Sequence, residues 1–394
     1  MRPVLLLVLL SLCVGGYVYQ RMMLRALPSY GALVDGRSQG VFHIHSEASH
    51  DSSLSLDEIT LAAVQVGLSF VVVTDHNKQL AEPVTRNGVL VISAAELSTP
   101  FGHVISLGSR QLVSQTDRQL SSIHAAVREV GGVPVLAHPS DVKNPWHGPT
   151  TLIGGVEIAN IAASVRRHRS FLYFGLLPAV MAWGQNPQLA LAQLYDRDVQ
   201  ALRLWDAAED PGLFGICGVD AHGHIETSNN LRMWKLVLAR PNMESPLRAD
   251  TVLRDLRQGR FYCQAGLLKG ESQFTFFAET VGPGGTVGMG DFAPEKISAL
   301  VVKHRGIQPG GSTLVLLRNG QEVLRTRETT LHYPRPVPGV YRVEVLASLA
   351  EVFKGVRTVP VIYSNRIAGL DETSPFAEER VPWASPGAER FDGI

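Results

Sequence analysis

The stretch GVFHIHSEASHD, residues 40–51, sets an apolar run against two alternating histidines and then turns polar. Val41, Phe42 and Ile44 read as a short buried strand. His43 and His45, two apart near its carboxyl end, share one face of the pleat. Two imidazoles so placed are a chelating pair, although a histidine on an apolar element is often a satisfied core group.

The pattern recurs at other strand ends. VVVTDHN (71–77) ends in Asp75 and His76, SAAEL (93–97) carries Glu96, and GHVISLG (102–108) opens on His103. VLAHP (135–139) ends in His138, and FGICGVDAH (214–222) ends in Asp220 and His222. Between these runs lie helical patterns. SLDEITLAAVQVG (55–67) has Ser55 and Glu58 at capping-box spacing, TDRQLSSIHAAVREVGG (116–132) closes on glycines, and residues 186–208 form a long helical region. GGVEIAN (154–160) adds a further strand. Short apolar strands alternating with helices predict an α/β fold, a parallel sheet covered on both faces, with about seven strands in a closed or nearly closed barrel. In that architecture the carboxyl ends of the strands meet at one mouth, so residues remote in sequence converge.

Nine candidate donors then share the mouth: six histidines, Asp75, Asp220 and Glu96. Burying them without a cation would require an individual partner for each. Imidazole with carboxylate and no thiolate suits zinc, manganese or iron, and nine donors exceed one coordination shell. Two or three divalent ions are expected, with Glu96 available as a bridge. Clustered cations of this kind activate water and stabilise in-line displacement at phosphorus.

The order H-x-H, S-L-D-E, T-D-H-N, A-E-L-S, G-H-V, A-H-P and V-D-A-H across residues 41–225 resembles the motif series of the PHP (polymerase and histidinol phosphatase) family of metal-dependent phosphoesterases. The resemblance implies a distorted (β/α)7 TIM-like barrel, a trinuclear metal site and phosphate-ester hydrolysis. It implies the ligands His43, His45, Asp51, His76, Glu96, His103, His138, Asp220 and His222. Where the family commonly has S-D-G, this chain has Ser49-His50-Asp51-Ser52, so His50 competes with Asp51; alignment of the following S-L-S favours Asp51. His50 then points outward or lies in a second layer near substrate, and Asp75 orients a ligating imidazole or caps a helix. The tail of the C-terminal region, VPVIYSN, resembles a branch of the family that includes carbamate-ester hydrolases, with Arg366 where that branch often has proline.

For substrate contacts, Arg166 and Arg167 follow VEIAN and could clamp a phosphate, while His147 and His224 could line the pocket. A solvated basic helix face is the competing reading for the arginines. His124 reads as structural, and His304 and His332 as surface residues. Ser46 has no evident base, so the expected nucleophile is a metal-activated hydroxide with no protein nucleophile.

The rest of the chain sets the frame. Its 394 residues suggest one large domain and a smaller one, and 36 basic against 36 acidic residues exclude a strong general grip on nucleic acid. Residues 1–28, uncharged from Pro3 to Tyr19, read as a signal or transmembrane anchor with the catalytic domain outside the cytoplasm. The expected divisions are a linker at 29–40, a metallohydrolase barrel at 41–268, a β-sandwich at 269–367 and a flexible tail at 368–394. The sandwich rests on alternating segments from QFTFFAE to RTVPVIYSN and on the Asn319-Gly320 hairpin signal. FLYFGLLPAVMAW (171–183), interrupted by Pro178, reads as a buried helical hairpin. Three cysteines make no disulfide framework, and Cys217 and Cys263 read as buried thiols.

The expected activity is a metal-dependent phosphoesterase acting on a small phosphate ester, a nucleotide or an oligonucleotide end. A carbamate or carboxyl-ester hydrolase using the same site is the second expectation, and a non-catalytic membrane-anchored binding module the third.

Overall fold

The computed structural model describes residues 2–25, 37–80, 82–119, 121–169, 179–180, 183–184, 187–239, 247–266, 273–281, 285–293, 296–305, 312–351 and 355–369. Most of the 171–183 hairpin, most of the linker and the tail beyond 369 lie outside the described residues. The fold is mixed α/β, with one large mixed sheet and a separate antiparallel sheet.

The strands that carry the candidate donors come first. They are β1 (Gln39–Ile44), β2 (Phe70–His76), β3 (Val84–Arg86), β4 (Val89–Thr99), β5 (Gly102–Leu107), β6 (Val133–Leu136), β7 (Gly155–Asn160) and β8 (Phe214–Gly218). They run in the spatial order β1-β2-β4-β5-β6-β7-β8. Past Gly218 the chain returns to β1: Val219 N donates to Phe42 O (3.1 Å), Ala221 N to His43 O (3.3 Å) and His45 N to Ala221 O (2.9 Å). The two ends of the path therefore meet where His43, His45 and Asp220 reside.

The pairing is not all parallel, as the alternation of strands and helices had suggested. β1–β2, β2–β4, β6–β7 and β7–β8 are parallel, but β5 is antiparallel to both β4 and β6. The reason is the connection: Pro100 and Phe101 alone join β4 to β5, and a parallel crossover needs a dozen or more residues. The reversal brings the amino end of β5, where His103 lies, beside the carboxyl end of β4.

Local chemistry explains the elements. Helix α2 follows β1 and α3 precedes β6, after α1 at the amino terminus (Arg2–Arg25; Leu56–Gln65 for α2; Ile123–Glu129 for α3). Ser55 and Glu58 close a reciprocal capping box at the start of α2, worth about 1 kcal/mol. Ile59 and Ala63 of α2 are fully buried, and the strand residues Val71, Val72, Val91 and Ile92 are as buried on the sheet. Helix α4 (Ile161–Arg169) follows β7 directly.

β9 (Trp234–Leu238) and β10 (Phe261–Ala265) extend the sheet beyond β1 by antiparallel pairing. The C-terminal strands are β11 (Gln273–Thr280), β12 (Thr286–Gly288), β13 (Phe292–Ala293), β14 (Ile297–Arg305), β15 (Ser312–Arg318), β16 (Gln321–Thr326), β17 (Thr330–Pro334), β18 (Gly339–Glu351), β19 (Gly355–Ser364) and β20 (Ile367–Gly369). β12-β11-β14-β17 form the separate sheet, while β13, β15, β16, β18, β19 and β20 belong to the large one through the β10–β19 pairing. The sheet is thus continuous across residue 268. Asn319 and Gly320, both at positive φ, make the β15–β16 turn that the Asn-Gly pair demands.

Two expectations are corrected. Cys217 on β8 and Cys263 on β10 form a disulfide, with Cα atoms 6.0 Å apart, so they are not free thiols. The two sites are 46 residues apart in sequence and meet only through the tertiary fold. His304 on β14 is buried and not at the surface, because Val302 and His304 take the inward positions while Lys303 and Arg305 point out. His332 is exposed, as expected.

In α1 the described side chains, residues 4–18, are exposed, with Leu6 at 71% and Leu12 at 67%. Among the described residues no helix is long and apolar enough to cross a membrane.

Candidate metal centre

The nine residues named by the family resemblance come together around two carboxylates. Glu96 stands at the centre, 1% exposed. Its Oε1 lies 2.8 Å from His103 Nδ1 and 2.9 Å from His138 Nε2. Its Oε2 lies 3.1 Å from both His43 Nε2 and His45 Nε2, and each of those nitrogens lies 3.4 Å from Asp220 Oδ1. A second focus forms at Asp51 Oδ2, 3.2 Å from His76 Nε2 and 3.1 Å from His222 Nε2. Three donor groups are compact enough to hold a cation: His43, His45, Glu96 and Asp220; His45, Asp51, His76 and His222; and His76, Glu96 and His103.

The backbone is bent to make these meetings. His43, His138 and Asp220 adopt positive φ values of 69°, 27° and 51°, which cost energy for residues with a Cβ. The β1–β2 register shifts between Phe42 and Ile44, so the His43 and His45 rings, with centroids 5.2 Å apart, converge through an irregular strand end and not through the pleat alone. In β2 and β4, His76 pairs in register with Glu96, and in the β4–β5 hairpin Ser98 pairs with His103.

Electrostatics divides the imidazoles into two classes. Burial alone would lower the pKa of His43, but Glu157, Glu96 and Asp220 raise it well above the ordinary histidine value. His45 is likewise raised to about 9, burial being outweighed by Asp220 and Glu96. His138 is raised too, against its burial, chiefly by Glu96. Burial dominates at His76, which falls to about 4, and at His222, which is lowered. Although burial opposes it, the surrounding imidazoles hold the Glu96 and Asp220 carboxyls well below the usual range, with His43 the largest influence.

Partners remain incomplete. His76 Nδ1 and His138 Nδ1 are buried without a hydrogen-bond partner among the described residues, and His45 Nε2 is close to Glu96 without hydrogen-bond alignment. Buried polar nitrogens left this way are unusual. A donor set of imidazoles and carboxylates with unmatched lone pairs fits divalent cations bound there.

No family model matches the chain, and no curated protein matches it.

Other expected site residues fall differently. Among the described residues Asp75 bonds neither an imidazole nor a helix end: its Oδ1 accepts from Ser46 N (2.6 Å) and its Oδ2 from Ser46 Oγ (2.7 Å), fixing the turn after His45. His50 is exposed, its ring 5.2 Å from that of His76. His224 is exposed and stacks on His222 at 6.1 Å. His147, also exposed, meets the edge of Phe101 at 6.0 Å. Arg166 reaches the site, with Nη2 2.9 Å from Asp220 Oδ2 and 2.6 Å from Asp141 Oδ2. Arg167 does not: it is engaged by Asp196, Asp198, Ser140 and Ser164, a structural network that removes it from the candidate substrate contacts. His124, as expected, is structural, its Nδ1 2.7 Å from Thr151 O.

Three contributors escaped the sequence reading. Ser49 Oγ donates to Asp51 Oδ1 (2.7 Å) and accepts from His76 N (3.2 Å). Asp141, 1% exposed, anchors Arg166. Glu157, also 1% exposed, accepts from His43 Nδ1 (3.0 Å) and from His138 N (2.6 Å). Its only signal in sequence is a lone acid inside the apolar strand GGVEIAN.

Proposed function

We propose that the protein is a metal-dependent phosphoesterase of the PHP type, with β1, β2, β4, β5, β6, β7 and β8 as a distorted seven-stranded barrel. The observation that carries this reading is the gathering of six histidines with Asp51, Glu96 and Asp220 around shared carboxylate oxygens, five of the histidines in compact donor groups and His138 against Glu96 Oε1, with buried imidazole nitrogens unmatched. Divalent cations, two or three of zinc, manganese or iron, would be held by three sets, the first two of which share Glu96. His43, His45, Glu96 and Asp220 would form the first, Glu96, His103 and His138 the second, and Asp51, His76 and His222 the third. When bound, such cations activate water and neutralise charge on the oxygens of a phosphoryl group.

The chain's own residues serve that chemistry by orientation. Glu96 offers one oxygen to each of two sets, and Arg166 holds the outer oxygen of Asp220 so that Oδ1 faces His43 and His45. Of the serines beside the site, Ser46 donates its hydroxyl to Asp75 and Ser49 to Asp51, and these bonds fix the turn that follows His45. Arg166, 29% exposed at its side chain, and the exposed Lys78 and Lys143, which follow His76 and Asp141, favour an anionic substrate over a neutral carbamate or carboxyl ester.

The anchored, exported location is part of the same proposal. The Cys217–Cys263 disulfide suits an oxidising compartment. The described apolar surface of α1, 15 residues, covers roughly 22 Å of helix, which would serve as the inner part of an anchor whose remaining side chains lie outside the described residues.

The test is hydrolysis by the full chain, loaded with manganese or zinc, of a phosphomonoester, a phosphodiester and a carboxyl-ester. Turnover of a phosphate ester that chelation removes and added metal restores is expected. Turnover of carboxyl or carbamate esters alone would move the activity to that bond, and cation binding with no hydrolysis would leave a binding module.

A further inference from the structure

The β7–β8 register shifts between Glu157 and Ala159, and the displaced strand carries the Glu157 carboxylate inward against Gly218. A Cβ at residue 218 would overlap Glu157 Oε1, so only glycine leaves room for it. Both carboxylate oxygens are then committed to protein donors. His43 Nδ1–H donates to Oε1 at 3.0 Å, and the His138 backbone N–H donates to Oε2 at 2.6 Å. With both oxygens taken by protein donors, Glu157 is not a tenth ligand.

The three donors with positive φ are His43, His138 and Asp220, and Glu157 touches the first two and packs two residues before the third. A carboxylate can only accept, so a proton of His43 sits on Nδ1, and Nε2 is the nitrogen whose lone pair would serve a cation in the space shared with Glu96 Oε2 and Asp220 Oδ1. We infer that Glu157 is a positioning residue of the cation site: it sets the His43 tautomer and holds the strained backbone at His138, so that β1, β6 and β8 present their donors together. The inference rests on the metal reading above. Outer carboxylates that orient ligating imidazoles typically change metal affinity 10- to 100-fold when removed.

The experiment compares cation affinity, by chelator competition, in the full-length wild type, Glu157→Gln and Glu157→Ala, with zinc or manganese as the probe and circular dichroism reporting the fold. Glu157→Gln keeps the volume and one acceptor but loses the second bond. It is expected to remain folded and to bind about 10-fold more weakly, and Glu157→Ala about 100-fold more weakly. In the zinc-loaded wild type, ¹⁵N NMR should show the His43 proton on Nδ1, and that proton should be lost to rapid exchange in Glu157→Ala. A merely structural role would lower stability and leave affinity and tautomer unchanged. Wild-type affinity in folded Glu157→Gln with an unchanged tautomer overturns the inference and spares the metal reading. A wild type that binds no cation overturns both.

Discussion

Two buried charge clusters in this molecule are built on opposite logic. Where the C-terminal strands meet the α/β part, Arg342 is nearly fully buried, yet it is paired with two carboxylates. Its Nη2 lies 2.7 Å from Asp206 Oδ2 and its Nη1 2.7 Å from Glu344 Oε1, while Arg197 Nη2 lies 2.7 Å from the same Glu344 oxygen. Arg342 and Arg366 also lie over the Trp205 ring, at 5.2 and 4.7 Å from its centroid. At the strand ends, Glu96, Asp51 and Asp220 face six imidazoles whose lone pairs and protons cannot all be matched, and the backbone is strained to bring them there. At Arg342 the ion pairs are made within the protein. At the strand ends the donors could hold cations, as proposed above, and the strain lies there and not at Arg342.

The contrast can be broken most sharply at His45. Replacing it by Ala should lower phosphate-ester turnover by roughly three orders of magnitude while the fold and its melting transition stay near wild type. Steady-state rates and circular dichroism together check this, and unchanged rates would remove His45 from its role.

Arg342→Ala should do the reverse. It leaves buried carboxylates short of a counter-charge and should cost about 3–5 kcal/mol of stability, with activity per folded molecule unchanged. Urea denaturation followed by assay at low denaturant separates the two effects.

Reducing the Cys217–Cys263 bond should lower stability by about 3–4 kcal/mol, because the bridge closes a loop of 46 residues in the unfolded chain. The measurement is the denaturation midpoint with and without reductant.

The smallest effect belongs to His304, which burial lowers from 6.5 to about 4. Above pH 6.5 the residue is neutral in both folded and unfolded chains, and its full contribution is present. As pH falls from 6.5 towards 4 the unfolded chain takes up the proton first, and stability declines by at most about 3 kcal/mol. The pH slope of stability in His304→Leu should be shallower than wild type by that amount.

How much of this was legible follows from the reach of each signal. The donors other than Asp51 were readable because each ends or opens a strand in a short apolar run, a local pattern that survives without any knowledge of the fold; Asp51, in the turn after β1, followed only from the family resemblance. The antiparallel β5 was legible in principle, since Pro100 and Phe101 cannot support a crossover, but the rhythm of strands and helices masked it. His304 was misplaced by its polarity even though the alternation of ISALVVKHRG puts it on the inward side. The Cys217–Cys263 pairing, the Glu157 contact and the Arg167 network join positions 46, 114 and about 30 residues apart. Nothing local marks such contacts. The positive φ at His43, His138 and Asp220 is equally invisible, because none is a glycine and strain is imposed by what surrounds them.

The central claim is that the second cluster is finished by several cations. It is tested most directly by counting zinc and manganese per chain in the purified full-length protein by mass spectrometry, before and after chelation and reloading. Two or three ions per chain, lost on chelation and regained on reloading, are predicted; fewer than two would contradict the account.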